Sequence, residues 1–374
     1  MYRRTWLQVD LKAIEENVRY IQSVCQKKII AVLKADGYGC GDIQGCHAVM
    51  KGGAYSIAVS SLDEAVMLRN QGFTGSVLVL GTVCAQDIPV LVKMKIACAA
   101  YSASWVQLAL KQNVKDLIVH LAVDTGMNRI GFKTVEELTE AFKLLEAHGC
   151  YIEGIFTHFY SAEEKDHVLT NAQFEKFENA VKALPHSVPL VHCDNSDATF
   201  FHKDTLSNAC RVGISLYGVS SYDTTLQHPV SFYTTVMLCK HVPKGETVGY
   251  GHTYTTKEDE IILTCPVGYA DGLIRENQGR QVYIDGSYGE IVGRVCMDQM
   301  MVKLDHEVEI GTPVEIFGPH ISLERYSEEL HTIPNETLCL ISGRVTRKYM
   351  YGNEEISEQN DRMIRSEARD GNNL

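Results

Sequence analysis

The sequence predicts an α/β fold: a (β/α)8, TIM-like barrel over residues 1–220 followed by a mainly β domain over residues 221–374. Three observations predict it. Eight short β-branched runs alternate with stretches of helical spacing in the first part of the chain. After about Val219 the texture changes to strand-like runs joined by Gly, Pro and Asp turns. A chain of 374 residues also has room for two domains of about 100 to 200 residues each.

The eight runs are, in order, Lys28–Lys34 (KIIAVLK), Tyr55–Ser61 (YSIAVSS), Ser76–Gly81 (SVLVLG), Ile96–Ser102 (IACAAYS), Leu117–Asp124 (LIVHLAVD), Ile152–His158 (IEGIFTH), Leu190–Ser196 (LVHCDNS) and Asn208–Ile214 (NACRVGI). Between them lie helix-period stretches such as SLDEAVMLRNQG, TVEELTEAFKLLEAHG and LTNAQFEKFENAVKAL. Such alternation implies parallel crossovers, and eight of these units can close a barrel. Beyond Val219, the runs FYTTVMLCKHV, EIILTCPVGYA, RQVYIDGSYGEIVGRV and TPVEIFG read as strands, and few helix-period windows remain until LERYSEELHT. The first ten or so residues are expected to pack with this second domain. The polar tail SEQNDRMIRSEARDGNNL is expected to fray.

Composition narrows the function. Apolar content of 45% and charged content of 22% are ordinary for a globular chain, and a net charge of -12 argues against a nucleic-acid footprint. No run approaches the roughly 20 apolar residues of a membrane span. The 12 cysteines are scattered without CxxC pairs or metal-ligand spacing, so they read as reduced core residues of a cytoplasmic protein with no metal site.

Several strand ends carry polar residues where barrel enzymes keep their chemistry. The first run ends in Lys34, followed by a turn of Gly37, Tyr38, Gly39 and Gly41. A lysine there can be desolvated and form an imine with an aldehyde, or can cap a strand at the surface. The last run leads into ACRVGISLYG, where Gly213 would let backbone amides approach a phosphate and Arg211 stands beside it; a glycine needed only for a tight turn reads the same way. VDTGMNRIGF carries Arg129, whose planar fork suits a carboxylate. His158 ends the sixth run and Ser196 the seventh. In the β domain, VGYGHTY, PVGYADGL and VGRVCMDQMMV are loop-like and rich in Tyr, Gly and Met, and each alone reads as a hairpin turn.

Together, AVLKADGYG, VDTGMNRIG, THF, RVGISLYG, VGYG and GRVCMDQ resemble the alanine racemases, in order and over nearly the whole chain. The resemblance implies a pyridoxal 5'-phosphate enzyme with Lys34 holding the cofactor and Lys34 and Tyr250 acting as two bases on opposite faces of the substrate. It places Tyr38, Ser196 and the amides of Gly213 and Ile214 at the phosphate, and Arg211 at the ring nitrogen. His158 falls near the ring, where it would assist Tyr250, because an unassisted tyrosine with a pKa near ~10 is a sluggish base. Arg129 and Met297 match substrate carboxylate contacts, and Tyr269 and Tyr254 the narrowing of the entrance. The family shares its sites across a head-to-tail homodimer, to which Tyr250 and Met297 contribute.

Two positions depart from the pattern. Ala122 stands where many members have a lysine that orients the arginine, and Gly343 where they have a tyrosine bounding the substrate pocket. The second departure opens space, as in the racemase domains of vancomycin-resistance serine racemases, and implies serine turnover beside alanine. Those enzymes carry a membrane domain ahead of this one, so the chain reads either as a whole cytoplasmic enzyme or as the cytoplasmic part of a longer protein. Two other readings are a pyridoxal-dependent decarboxylase of the same architecture, which would need an acidic residue in place of Arg211, and a non-catalytic pyridoxal-phosphate carrier.

Overall fold

The chain begins with a strand, β1 (Thr5–Asp10), whose alternating burial marks a sheet with one face on a core. Eight strands then follow: β2 (Lys28–Val32), β3 (Ser56–Val59), β4 (Val77–Val79), β5 (Ala97–Ala100), β6 (Ile118–Ala122), β7 (Tyr151–Phe156), β8 (Leu190–His192) and β9 (Ala209–Val212). They pair in parallel and close into a barrel, with β2 joined to β9 at Lys28↔Ala209. Each coincides with one of the eight predicted runs but stops short of its carboxyl end, so Lys34, His158 and Ser196 lie just past the strands. Most of these strands are buried along their length, because helices cover one face and the barrel core the other. Ile30, Val32, Ala58, Leu78, Ala97, Leu190 and Ala209 pack together in that core.

The computed structural model describes residues 2–360. Two compact units emerge: Ile14–Gly37 with Asp42–Gln227, which holds the barrel, and a second made of the first 13 residues, Tyr38–Gly41 and the chain from His228.

The second unit is built on β1 together with β10 (Val230–Thr235), β11 (Leu238–Val242), β12 (Thr247–Val248), β13 (Tyr254–Thr255), β14 (Glu260–Cys265), β15 (Gln281–Ile284), β16 (Ser287–Ile291), β17 (Met300–Leu304), β18 (Pro313–Phe317), β19 (Thr346–Tyr351) and β20 (Glu354–Gln359). Ten of them form one sheet in the order β11-β14-β17-β16-β15-β18-β10-β1-β19-β20, and β12 pairs with β13. β1 runs antiparallel to β10 and parallel to β19. The expected fraying of the tail fails at its start, since Ser357–Gln359 complete β20 against β19, where backbone pairing outweighs side-chain polarity. The rest of that prediction, from Asp361 onward, lies outside the described residues.

Candidate active site

Lys34 follows β2 and opens an unusual turn. Ala35, Asp36 and Gly37 all sit near φ +55° and ψ +50°, and Tyr38 has φ +57°. A run of left-handed residues costs roughly 1–2 kcal/mol for each that is not glycine, so something must hold it. The Ala35 N–H donates to Glu64 Oε1 at 2.7 Å, and the Tyr217 hydroxyl donates to the Gly37 carbonyl at 2.6 Å. Asp36 Oδ1 accepts from Asp42 N–H at 3.1 Å. Glu64 also accepts from the Ser60 and Ser61 amides at 2.7 and 3.2 Å, so one carboxylate fastens the lysine turn to the next strand end. Lys34 itself is exposed. It lies two residues past Val32, the last residue of β2.

Arg211, on β9, is buried and heavily bonded. Its guanidinium donates to the carbonyls of Thr157 (2.6 Å), His192 (2.8 Å) and Cys193 (3.2 Å), and to the Nδ1 atoms of His192 (3.0 Å) and His158 (3.3 Å). Burial pushes it down to about 10, which leaves it charged at neutral pH. His158 is pushed down to about 3 by burial and by the charges of Arg211, Arg129 and Lys34, so it is neutral at any working pH. A guanidinium only donates, so His158 Nδ1 accepts and its proton sits on Nε2.

Ser196 follows β8, and its hydroxyl accepts from the amides of Gly213 and Ser215 at 3.0 and 3.5 Å. Ile214 lies between these two amides. Arg129 is exposed and makes no hydrogen bond or ion pair with the described residues. Its loop is nonetheless closed: Asp124 Oδ1 accepts from the amides of Gly126 and Asn128, each at 3.0 Å, and Asp124 N–H donates to the Phe132 carbonyl at 3.0 Å. Ala122 is buried against Ala99 and Phe156, with Leu80 and Tyr101 packed on the same cluster, and its methyl group offers Arg129 no polar partner.

In the second unit, Tyr250 and Met297 line a cleft of about 660 Å³ and remain 68% and 53% exposed. The Tyr269 amide donates to the Cys296 carbonyl and the Ala270 amide to the Met297 carbonyl, each at 3.0 Å, which fastens the two loops together. Gly268 permits this approach, since a Cβ there would lie 2.3 Å from the Cys296 oxygen. Arg344 continues the assembly, with Nη2 2.7 Å from Asp298 and Nε 3.1 Å from the buried Asp271. Gly343, between Ser342 and Arg344, is exposed, and Tyr38 is buried in this unit. The Tyr254 hydroxyl donates to Glu260 at 2.6 Å, and the residue packs against the apolar cluster of Val242, Val248, Ile262, Val292 and Met301.

The sequence reading missed His192, Thr157 and Glu64. A histidine inside a barrel strand and the S-x-x-E capping pattern at Ser61 were the available signals. It also missed a cluster. Cys193, Asp194, His202 and Asp204 bring their ligand atoms within 4.8 Å of one another, contrary to the absence of metal-ligand spacing in sequence, because the β8–β9 connection folds back on itself. Both carboxylates already bind the Lys27 ammonium, at 2.8 and 2.6 Å.

Comparison with known proteins decides the family. Residues 9–221 match the model of the alanine racemase N-terminal domain, and residues 229–349 that of the alanine racemase C-terminal domain. The chain belongs to the alanine racemase family. It is 38% identical over 364 residues to alanine racemase 1 of Bacillus subtilis (strain 168), covering 93% of this chain and 94% of that one. Among solved structures, the alanine racemase of Bacillus anthracis with bound L-Ala-P superposes with a TM-score of 0.92 at 35% identity, covering 96% and 98% of the two chains. The histidine racemase of Leuconostoc mesenteroides subsp. sake NBRC 102480 superposes with a TM-score of 0.88 at 27% identity, over 93% and 98%.

As an alanine racemase family member, this chain is an isomerase, and its relatives support racemisation of alanine. The alanine racemase family depends on pyridoxal 5'-phosphate. The barrel mouth fits that anion: the charges acting on His158 are all cationic, from Arg211, Arg129 and Lys34. Among the described residues no helix is long and apolar enough to cross a membrane.

Proposed function

We propose that the chain interconverts L- and D-alanine, and L- and D-serine, by a two-base mechanism in which Lys34 and Tyr250 exchange the α proton on opposite faces of the substrate. Bound pyridoxal phosphate would supply the electron sink that makes this weakly acidic proton removable. Lys34 would hold the cofactor's aldehyde carbon and then carry a proton on its Nζ. Tyr250 would carry the other on its phenolic oxygen, and one group on each face inverts the centre. Ser196, Tyr38 and the Gly213 and Ile214 amides would hold the phosphate. Arg129 would grip the substrate carboxylate with its planar fork, aided by the backbone at Met297.

The observation that carries the reading is the cation at the barrel mouth. Arg211 is buried, charged and bonded to five acceptors, where a decarboxylase of this architecture would need a carboxylate. Such a group offers a ring nitrogen a hydrogen bond without surrendering its proton, which keeps the sink shallow and disfavours side reactions. His158, held neutral, keeps an Nε2 proton available for the Tyr250 oxygen.

Exposure of Tyr250 and Met297 on one cleft supports completion of the site by a second copy of the chain, in a homodimer. Gly343 supports the serine assignment: without a side chain at this position, a hydroxymethyl group is tolerated, and tolerance of one hydroxyl discriminates by only about 100-fold. The D-enantiomers would serve peptidoglycan precursors. The test is incorporation of solvent deuterium at the α position of both alanine enantiomers. Tyr250→Phe should abolish it from the L side while Lys34→Ala abolishes it from both. Carbon dioxide release, or binding without turnover, would overturn the reading.

A further inference from the structure

A polar chain runs from Arg211 through the barrel. Arg211 Nη1 donates to His192 Nδ1 at 3.0 Å, His192 Nε2 meets His120 Nδ1 at 2.8 Å, and His120 Nε2 meets Glu153 Oε2 at 2.9 Å. Every bond in it has one possible direction. Because the guanidinium cannot accept, His192 Nδ1 holds a lone pair and its proton is on Nε2. That proton is donated to His120 Nδ1, which leaves the His120 proton on Nε2, aimed at the carboxylate. Burial and the neighbouring charge of Arg211 keep His192 well below its ordinary value, hence neutral.

The backbone is shaped around this chain. The β6–β7 register slips between Val119 and His120, leaving Glu153 as the extra residue of a bulge, a device that re-aims a side chain. At the next position, Gly154, a Cβ would lie 2.5 Å from His120 Nδ1 and 2.9 Å from the Leu190 carbonyl, so only glycine leaves room for the imidazole. Phe156 stacks on His192 with ring centroids 5.2 Å apart and planes 10° apart, fixing its orientation. Glu153 is the one partly open end, 19% exposed, while the His120 side chain is 2% exposed.

We propose that His120 and Glu153 are positioning residues for Arg211: together they lock His192 in the Nε2–H tautomer, so that its Nδ1 lone pair always faces the guanidinium. With the other tautomer an N–H would oppose an N–H, and Arg211 would be pushed off the seat its carbonyl partners define. The function of this seat rests on the reading of Arg211 as the residue at the cofactor ring.

The test is nitrogen NMR of protein labelled with 15N-histidine, first without cofactor. In the unaltered chain, His192 should show an unprotonated Nδ1 and a protonated Nε2; a protonated Nδ1 overturns the proposal without need of any variant. Glu153→Leu removes the final acceptor and should mix the tautomers at both histidines, lower kcat for alanine about tenfold, the low end for loss of an outer-shell partner, and leave KM within about twofold. Glu153→Gln keeps an acceptor oxygen and should restore both tautomer and rate. Unchanged nitrogen signals in a folded Glu153→Leu, or mixed tautomers with unchanged kcat, overturn it. Failure of the site reading looks different: Arg211→Ala would then leave racemisation intact while the tautomers in the unaltered chain stay as described.

Discussion

Replacing Lys27 by methionine tests whether the buried cluster beneath the β8–β9 connection is held by charge. The Lys27 ammonium, with its side chain 10% exposed, bonds Asp194 at 2.8 Å, Asp204 at 2.6 Å and the Ser207 hydroxyl at 2.6 Å. Burial alone would pull the ammonium down, yet the charge of Asp194 holds it above its ordinary value. Burial would likewise push Asp194 up, but donation by His202 and the charge of Lys27 keep its carboxyl below the usual range, and Lys27 does the same for Asp204. Removing one partner of such a pair costs about 3–5 kcal/mol, because buried carboxylates are left uncompensated. For a cooperative unit of about 200 residues, each kcal/mol shifts Tm by about 2–4 °C, so the midpoint should fall by about 6 to 20 °C in thermal melts at pH 7. The pH dependence has a definite sign. Carboxyls with lowered pKa contribute stability above their unfolded value near ~4 and lose it in acid, while the raised lysine contributes below about 10 and loses it in base. The gap between the two proteins should be flat from about pH 5 to 9 and narrow below pH 4. Adding Asp204→Asn to Lys27→Met should recover part of the loss. A drop under about 2 °C would refute the reasoning.

Other outcomes follow from the site. Glu64→Ala, which removes the acceptor of Ala35, Ser60 and Ser61, should cost about 1 to 2 kcal/mol in unfolding and lower kcat, because the left-handed turn after Lys34 loses its tether. Gly343→Tyr should lower the serine-to-alanine turnover ratio; an unchanged ratio sinks the pocket argument. Specific activity should fall on dilution as the shared site comes apart, and sedimentation at the same concentrations should show dissociation. Lys34→Ala should abolish the cofactor's imine absorption band and leave the melting profile of the protein without cofactor within a few degrees.

The barrel was legible because parallel strands buried on both faces must be short apolar runs, and crossover helices must carry helical spacing between them. KIIAVLK and IEGIFTH state their own strand and even the polar residue at its end. The second unit was readable only in texture. The pairing of β1 with β10 and β19 joins residues more than 200 positions apart in sequence, and no local pattern encodes such partners.

By itself, the sequence determined the eight strands, the polar ends at Lys34, His158 and Ser196, the arginine Arg211 in the last strand, and the family to which those residues belong. Tertiary structure alone decided what holds each of them. The lysine turn is left-handed because Glu64 and Tyr217 make it affordable, and Arg211 is oriented by a histidine relay ending at Glu153. The physical reason is the range of the forces involved. Periodicity and burial act along a few residues of chain, whereas a hydrogen bond chooses its partner by distance in space, which exists only after the barrel has closed.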